Sequence, residues 1–193
     1  MTAIALNGLG RIGRLLVRRL GGVRPGLLGA VNDPAPIDQL VHLLRYDSVH
    51  GPSAKPIEGF TEGGQDFLLL GDHRVPLFHA SDPAEIPFPA PTRLVVEASG
   101  RFTHRVDAAR HLKAGVSHVV ISAPSPDADF TVIAPVNGAE LDPGRHRVIS
   151  NASCTAHATA PMLKILDDAF GLEHAGMSTV HVVTNDQRLL DLP

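Results

Sequence analysis

Apolar and polar residues follow two different periods along this chain, and the periods take turns. "AIAL" is a short apolar run, and "RIGRLLVRRL" after it places Ile12, Leu15, Leu16 and Leu20 on one face of a helix. "LLGAVND" then reads as a second strand. In "IDQLVHLLRYDS", Ile37, Leu40, Val41 and Leu44 again repeat at helical spacing. From about Gly51 to Pro91 the chain is rich in Pro, Gly and Asp, with short candidate strands at "FLLL" and "VPLFH". Alternation resumes with "RLVVEAS" as a buried strand, "HRVDAARHLKAG" as a helix ending at Gly115, and "HVVISAP" and "FTVIAPV" as two more strands. Strand, helix, strand in this order predicts parallel pairing through right-handed crossovers, hence an α/β fold with a doubly wound, mostly parallel sheet.

The first strand-to-helix turn carries "GLGRIG", in which Gly8, Gly10 and Gly13 match G-x-G-x-x-G. Glycine triplets at this spacing also occur in plain loops. Here the triplet follows a strand and opens a helix, the context in which backbone N–H groups can meet a pyrophosphate. The second strand ends at Asp33, 20 residues beyond Gly13, where a carboxylate can accept from an adenosine ribose and would repel a 2′-phosphate. The expected ligand is therefore NAD rather than NADP.

A second focus is "SNASCTAHATAP", which contains the single cysteine, Cys154. An isolated cysteine is most often a small buried hydrophobe. However, "HRVISNAS" reads as a strand and turn, and "TAHATAPMLKILDDAFG" as a helix ending at Gly171, with Pro161 near its first turns or at a local kink. That places Cys154 at a helix N-terminus, where the thiolate is favoured. "MSTVHVVT", a further predicted strand, offers His181 as a basic partner. Spacing alone leaves His181 open between that role and a core histidine with a satisfied hydrogen bond.

The motifs "NGLGRIGR", "RYDSVHG", "EASGRFT", "SNASCT", "TVHVVTNDQ" and "LDLP" together resemble the phosphorylating glyceraldehyde-3-phosphate dehydrogenase family, in the same order and over essentially all 193 residues. The resemblance implies a Rossmann-type NAD-binding domain over residues 1–150 and a truncated start of an α+β catalytic domain over 151–193. It implies Cys154 as nucleophile and His181 as its base. Arg11, Ile12, Asp33, Ser99, Gly100 and Ser122 should line the NAD site with the glycine turn. Ser153, Thr155 and Thr184 should hold phosphate of the substrate or inorganic phosphate. The implied reaction is the glycolytic oxidation of glyceraldehyde 3-phosphate to 1,3-bisphosphoglycerate through a thioester on Cys154, in a homotetramer when the chain is full length. Erythrose-4-phosphate dehydrogenase, or a non-catalytic NAD-binding or interaction module, are the alternatives. This chain departs from the family pattern at His157 and Ala158, where Asn and a second Cys are usual, and at Ser81, where an arginine near the adenine is usual.

Composition narrows the remaining classes. A 44% hydrophobic fraction suits an ordinary globular protein, and a net charge of -3 argues against a nucleic-acid surface. One cysteine allows no internal disulfide, so a reducing cytoplasm is expected. No window reaches membrane-spanning length, so no membrane partner is expected either. None of the 11 histidines has a spacing that closes a metal site with Cys154.

Overall fold

The computed structural model describes residues 3–113, 115–184 and 189. Over the described residues the chain forms nine strands, β1 (Ala3–Asn7), β2 (Leu28–Asn32), β3 (Ile57–Glu62), β4 (Gln65–Leu70), β5 (His73–Phe78), β6 (Thr92–Glu97), β7 (His118–Ile121), β8 (Phe130–Thr131) and β9 (Val148–Ser150). Its helices are α1 (Arg11–Val23), α2 (Ile37–Arg45), α3 (Arg105–Ala108), α4 (Ala134–Asn137) and α5 (Cys154–Phe170). The strands make one sheet in the order β3-β4-β5-β2-β1-β6-β7-β9-β8. It is parallel from β5 through β8 and antiparallel only where β3 and β4 extend it past β5. This is the Rossmann-type α/β sheet that the alternating periods predict.

The central strands are apolar on both faces because both are covered, one by α1 and α2 and the other by loop and turn residues. On one face Leu6 and Val31 meet Val17 of α1 and Leu40 and Leu44 of α2. On the other, the smaller Ala5, Ala30 and Val95 leave room for Phe78 and Phe88. Farther along the sheet, Val119, Ile121 and Val148 pack with Ala108 of α3. The chain runs one way from β1 to β2 and returns to the other side of β1 as β6, so the direction of winding reverses there. Ligands of open α/β sheets bind outside the carboxyl ends of the strands at such a point.

Four local expectations are corrected. β3 was not expected: only Ile57 of "IEGFTE" is buried, so the strand has no apolar alternation to announce it and exists by pairing with β4. "FTVIAPV" gives only the two-residue β8, because Pro135 lacks a ladder N–H and fits the first turn of α4. The helix from "HRVDAARHLKAG" is a short α3 followed by a single 3₁₀ turn, Ala109–His111. Residues 177–184 form no strand, since a strand is defined by a paired neighbour and no described residue supplies one.

Candidate functional site

The Gly8 turn joins β1 to α1. Gly8 has φ +93°, and a Cβ there would lie 2.4 Å from the Ser99 backbone nitrogen. A Cβ on Gly13 would lie 2.0 Å from the Gly8 carbonyl oxygen. These two glycines let the turn after β1 pack against the turn after β6 and let α1 start at once. Gly10 caps α1 with extended backbone, and its carbonyl accepts the first helical bond, from Arg14 N–H at 2.9 Å. The N–H groups of Arg11, Ile12 and Gly13 thus precede the helical ladder, and Ile12 is exposed above them. Such an unpaired N-terminus is a fit for a pyrophosphate.

Asp33 follows β2 directly and is buried. Its Oδ2 accepts from Leu9 N–H at 2.7 Å and its Oδ1 from Ala35 N–H at 3.0 Å. One lone pair remains on each oxygen for a ribose hydroxyl. The same carboxylate therefore ties the glycine turn to the end of β2. On the other side of β1, Ser99 and Gly100 turn the chain after β6, Gly100 at φ +73°. Ser122 N–H donates to the Glu97 carbonyl at 2.9 Å, placing Ser122 beside them at the end of β7. The carboxyl edge thus gathers all the expected cofactor residues. It also holds Asn7, Asn32 and Glu97, which went unremarked in the sequence although each ends an apolar strand run on a polar side chain.

The thiol sits farther along the same edge. β9 ends at Ser150, and Ala152 then adopts φ +52°, the only positive φ at a non-glycine among the described residues. This bend turns the chain into α5, with Ser153 as N-cap: its hydroxyl accepts from Ala156 N–H at 3.0 Å. Cys154 is the first residue of α5 and is exposed. α5 runs through Pro161 without interruption and stops at Gly171, whose φ is +70°. The chain then doubles back, and the Thr159 hydroxyl donates to Met177 Sδ at 3.1 Å.

This return brings His181 Nε2 to 3.0 Å from Cys154 Sγ. His181 Nδ1 lies 2.6 Å from the Val182 carbonyl. A carbonyl only accepts, so Nδ1 carries a proton and Nε2 faces the sulfur with its lone pair, or with a second proton once the thiol has given one up. The His181 hydrogen bond, followed by that from Thr155, holds the Cys154 thiol below its ordinary value. The sulfur in turn, followed by the Val182 carbonyl, raises the His181 imidazole. Thr155 Oγ1 is 3.9 Å from Sγ. Thr184 is half-buried just beyond this segment. His157 Nδ1 lies 3.2 Å from the Ser153 carbonyl. Among the described residues no group of His, Cys, Asp and Glu is arranged to hold a metal ion, and no helix is long and apolar enough to cross a membrane.

Fold and glycine turn define an α/β protein of the dinucleotide-binding class. Residues 2–105 match the family model described as glyceraldehyde 3-phosphate dehydrogenase, NAD binding domain, and residues 153–193 match the C-terminal domain of the same family. The chain belongs to the glyceraldehyde-3-phosphate dehydrogenase family. It is 39% identical to glyceraldehyde-3-phosphate dehydrogenase 1 of Bacillus cereus, over 100% of this chain and 57% of the relative. It is 43% identical to the glyceraldehyde-3-phosphate dehydrogenase of Priestia megaterium (98% and 56%) and 42% identical to that of Kitasatospora aureofaciens (100% and 58%). The chain therefore spans little more than half the length of the curated relatives it matches.

Proposed function

We propose that this chain carries the cofactor cradle and nucleophile of an NAD-dependent phosphorylating aldehyde dehydrogenase acting on glyceraldehyde 3-phosphate. The observation that carries the reading is the 3.0 Å approach of His181 Nε2 to an exposed thiol at the first residue of α5. Residues 1–150 are read as the cofactor domain, since β9, the last strand among the described residues, ends at Ser150, and 151–193 as the opening of the catalytic domain.

In this reading Gly8, Gly10, Arg11, Ile12 and Gly13 receive the pyrophosphate of NAD, Asp33 the adenosine ribose, and Ser99, Gly100 and Ser122 the other half of the dinucleotide. NAD, when bound, supplies the hydride acceptor. The Cys154 thiolate adds to the aldehyde carbon, and backbone N–H groups at the start of α5 stabilise the developing alkoxide. His181 accepts the hydroxyl proton of the hemithioacetal as the carbon is oxidised to a thioester. Inorganic phosphate, held by Ser153, Thr155 and Thr184, attacks the thioester carbonyl. The acyl phosphate leaves and the thiolate returns to Cys154. This assigns the chain to the glycolytic oxidation step in the cytoplasm, within a homotetramer of full-length subunits.

The test is to incubate the purified chain with NAD and glyceraldehyde 3-phosphate without phosphate, then measure intact mass and NADH absorbance. An acyl adduct absent from Cys154→Ala is expected; erythrose 4-phosphate should acylate less. A second reading, a non-catalytic NAD-binding module, is favoured by α5 itself, which buries none of its residues. NAD binding with neither adduct nor NADH would select it.

A further inference from the structure

A buried titratable pair lies behind the cofactor edge and takes no part in the chemistry above. His111, in the turn after α3, is 0% exposed, and Glu97, the last residue of β6, is 2% exposed. His111 Nε2 lies 2.8 Å from Glu97 Oε2. An ionised carboxylate only accepts, so Nε2–H donates. His111 Nδ1 faces no hydrogen-bond partner among the described residues, and the Phe88 ring covers the imidazole at 6.1 Å between centroids.

The Glu97 carboxylate has its acceptor positions filled. Oε2 also accepts from Asn7 Nδ2 at 2.6 Å, while Oε1 accepts from the Ser99 N–H at 2.8 Å and the Ser99 hydroxyl at 2.5 Å. The Ser99 hydroxyl oxygen then accepts from Arg101 N–H at 3.1 Å, closing the turn through Gly100. Asn7 continues the chain on the other side, its Oδ1 accepting from Asn32 Nδ2 at 2.8 Å. Sheet register makes this possible, because Asn7 is directly paired with Asn32 of β2 and with Glu97 of β6.

The consequence concerns Ser99 and Gly8. Their backbones are packed too closely to admit a Cβ, so the turn after β6 forms one wall against the glycine turn. Four hydrogen bonds to one buried carboxylate hold that wall, and His111 supplies the one that comes from outside the strand ends and the turn. Asp33 marks the adenosine side at β2, so a dinucleotide laid across the switch point places its nicotinamide half over β6.

We propose that His111 is a positioning residue of the dinucleotide site: through Glu97 it fixes the Ser99–Gly100 turn before cofactor arrives, preforming the part of the cradle that meets the nicotinamide half. The inference rests on the NAD-binding reading. It locates the effect on one half of the ligand, since AMP reaches only the adenosine side.

The test is calorimetry of NAD and of AMP with the purified chain and its variants. His111→Phe keeps an aromatic ring but no donor, and should weaken NAD on the order of tenfold while leaving AMP within about twofold. His111→Gln, which retains an N–H donor, should restore NAD affinity to within about twofold of the unmodified chain. Equal losses for NAD and AMP, or no loss for NAD, would overturn the assignment. Should His111→Phe fail to fold, hydrogen exchange on the unmodified, cofactor-free chain decides: the Ser99 amide should be protected like Val95 and Val96 of β6, and free exchange at Ser99 overturns a preformed turn. A chain that binds AMP but not NAD before any substitution defeats the dinucleotide reading itself and this inference with it.

Discussion

His181 faces Cys154 with Nε2 at 3.0 Å from the sulfur and is held from behind by its own segment, Nδ1 lying 2.6 Å from the Val182 carbonyl. Both contacts favour the same protonation state. The carbonyl keeps Nδ1 protonated, so the second imidazole proton has to come to Nε2 from the thiol.

The first prediction follows from the signs of the two shifts. The Cys154 thiol is lowered, so its thiolate persists below the ordinary thiol value of about 8.5; His181 is raised, so its imidazolium persists above its ordinary value of about 6.5. Iodoacetamide should therefore alkylate Cys154 rapidly at neutral pH, with the rate falling only as acid protonates the sulfur. His181→Ala returns the thiol towards its ordinary titration and should slow neutral-pH alkylation by about tenfold. Identical pH–rate profiles for the two proteins would contradict the pairing.

Asp33 gives a cofactor-selectivity prediction. Because Oδ2 accepts from Leu9 N–H, an alanine would orphan a turn donor as well as remove charge. Asp33→Asn removes the charge and keeps one acceptor oxygen, enough for Leu9 N–H but not for Ala35 N–H as well, so the preference for NAD over NADP should narrow by about tenfold with some loss of melting temperature. Titrations with both cofactors measure it. An unchanged ratio would show that Asp33 serves the turn alone.

Ala152 tests the bend before the nucleophile. At φ +52° an L side chain is strained, and a β-branched one much more so. Ala152→Val should cost about 2 kcal/mol in urea unfolding and should also slow Cys154 alkylation, since the bend aims the start of α5. Wild-type stability in that variant would mean that the bend relaxes without penalty.

Protection against hydrogen exchange should divide the chain. Amides of β1 are paired on both sides, by β2 and β6, whereas residues 177–184 have no ladder. Mass spectrometry of peptides covering the two regions should show exchange in 177–184 faster by orders of magnitude. Equal protection would place a partner on that segment.

Much of this arrangement was legible in the sequence. Leu40 and Leu44 of α2 and Leu6 and Val31 of the first strands declare themselves by period, and Gly8 and Gly13 by the strictness of a turn that admits no side chain. Cys154 was legible through the helix it begins. What stayed hidden had no periodic or chemical signature. Glu97 and His111 are 14 residues apart, each in a segment that reads as ordinary, and only the folding of the turn after α3 back onto the end of β6 brings them together. β3 was hidden because its partner, rather than its own composition, makes it a strand. The strand expected at 177–184 shows the converse: "VHVV" has the composition of a strand, but no described residue pairs with it.

The packing of Gly8 against Ser99 has a consequence for how this sequence can vary. No side chain can be added at Gly8 unless the 98–99 peptide retreats, and that peptide is tied to Glu97 and cannot retreat alone. Substitutions in the two turns should therefore be epistatic. A change at Gly8 that is ruinous by itself becomes tolerable only together with a rearrangement some 90 residues away, so the two turns drift as a single inherited unit, although the sheet registers Asn7 and Glu97 as mere neighbours.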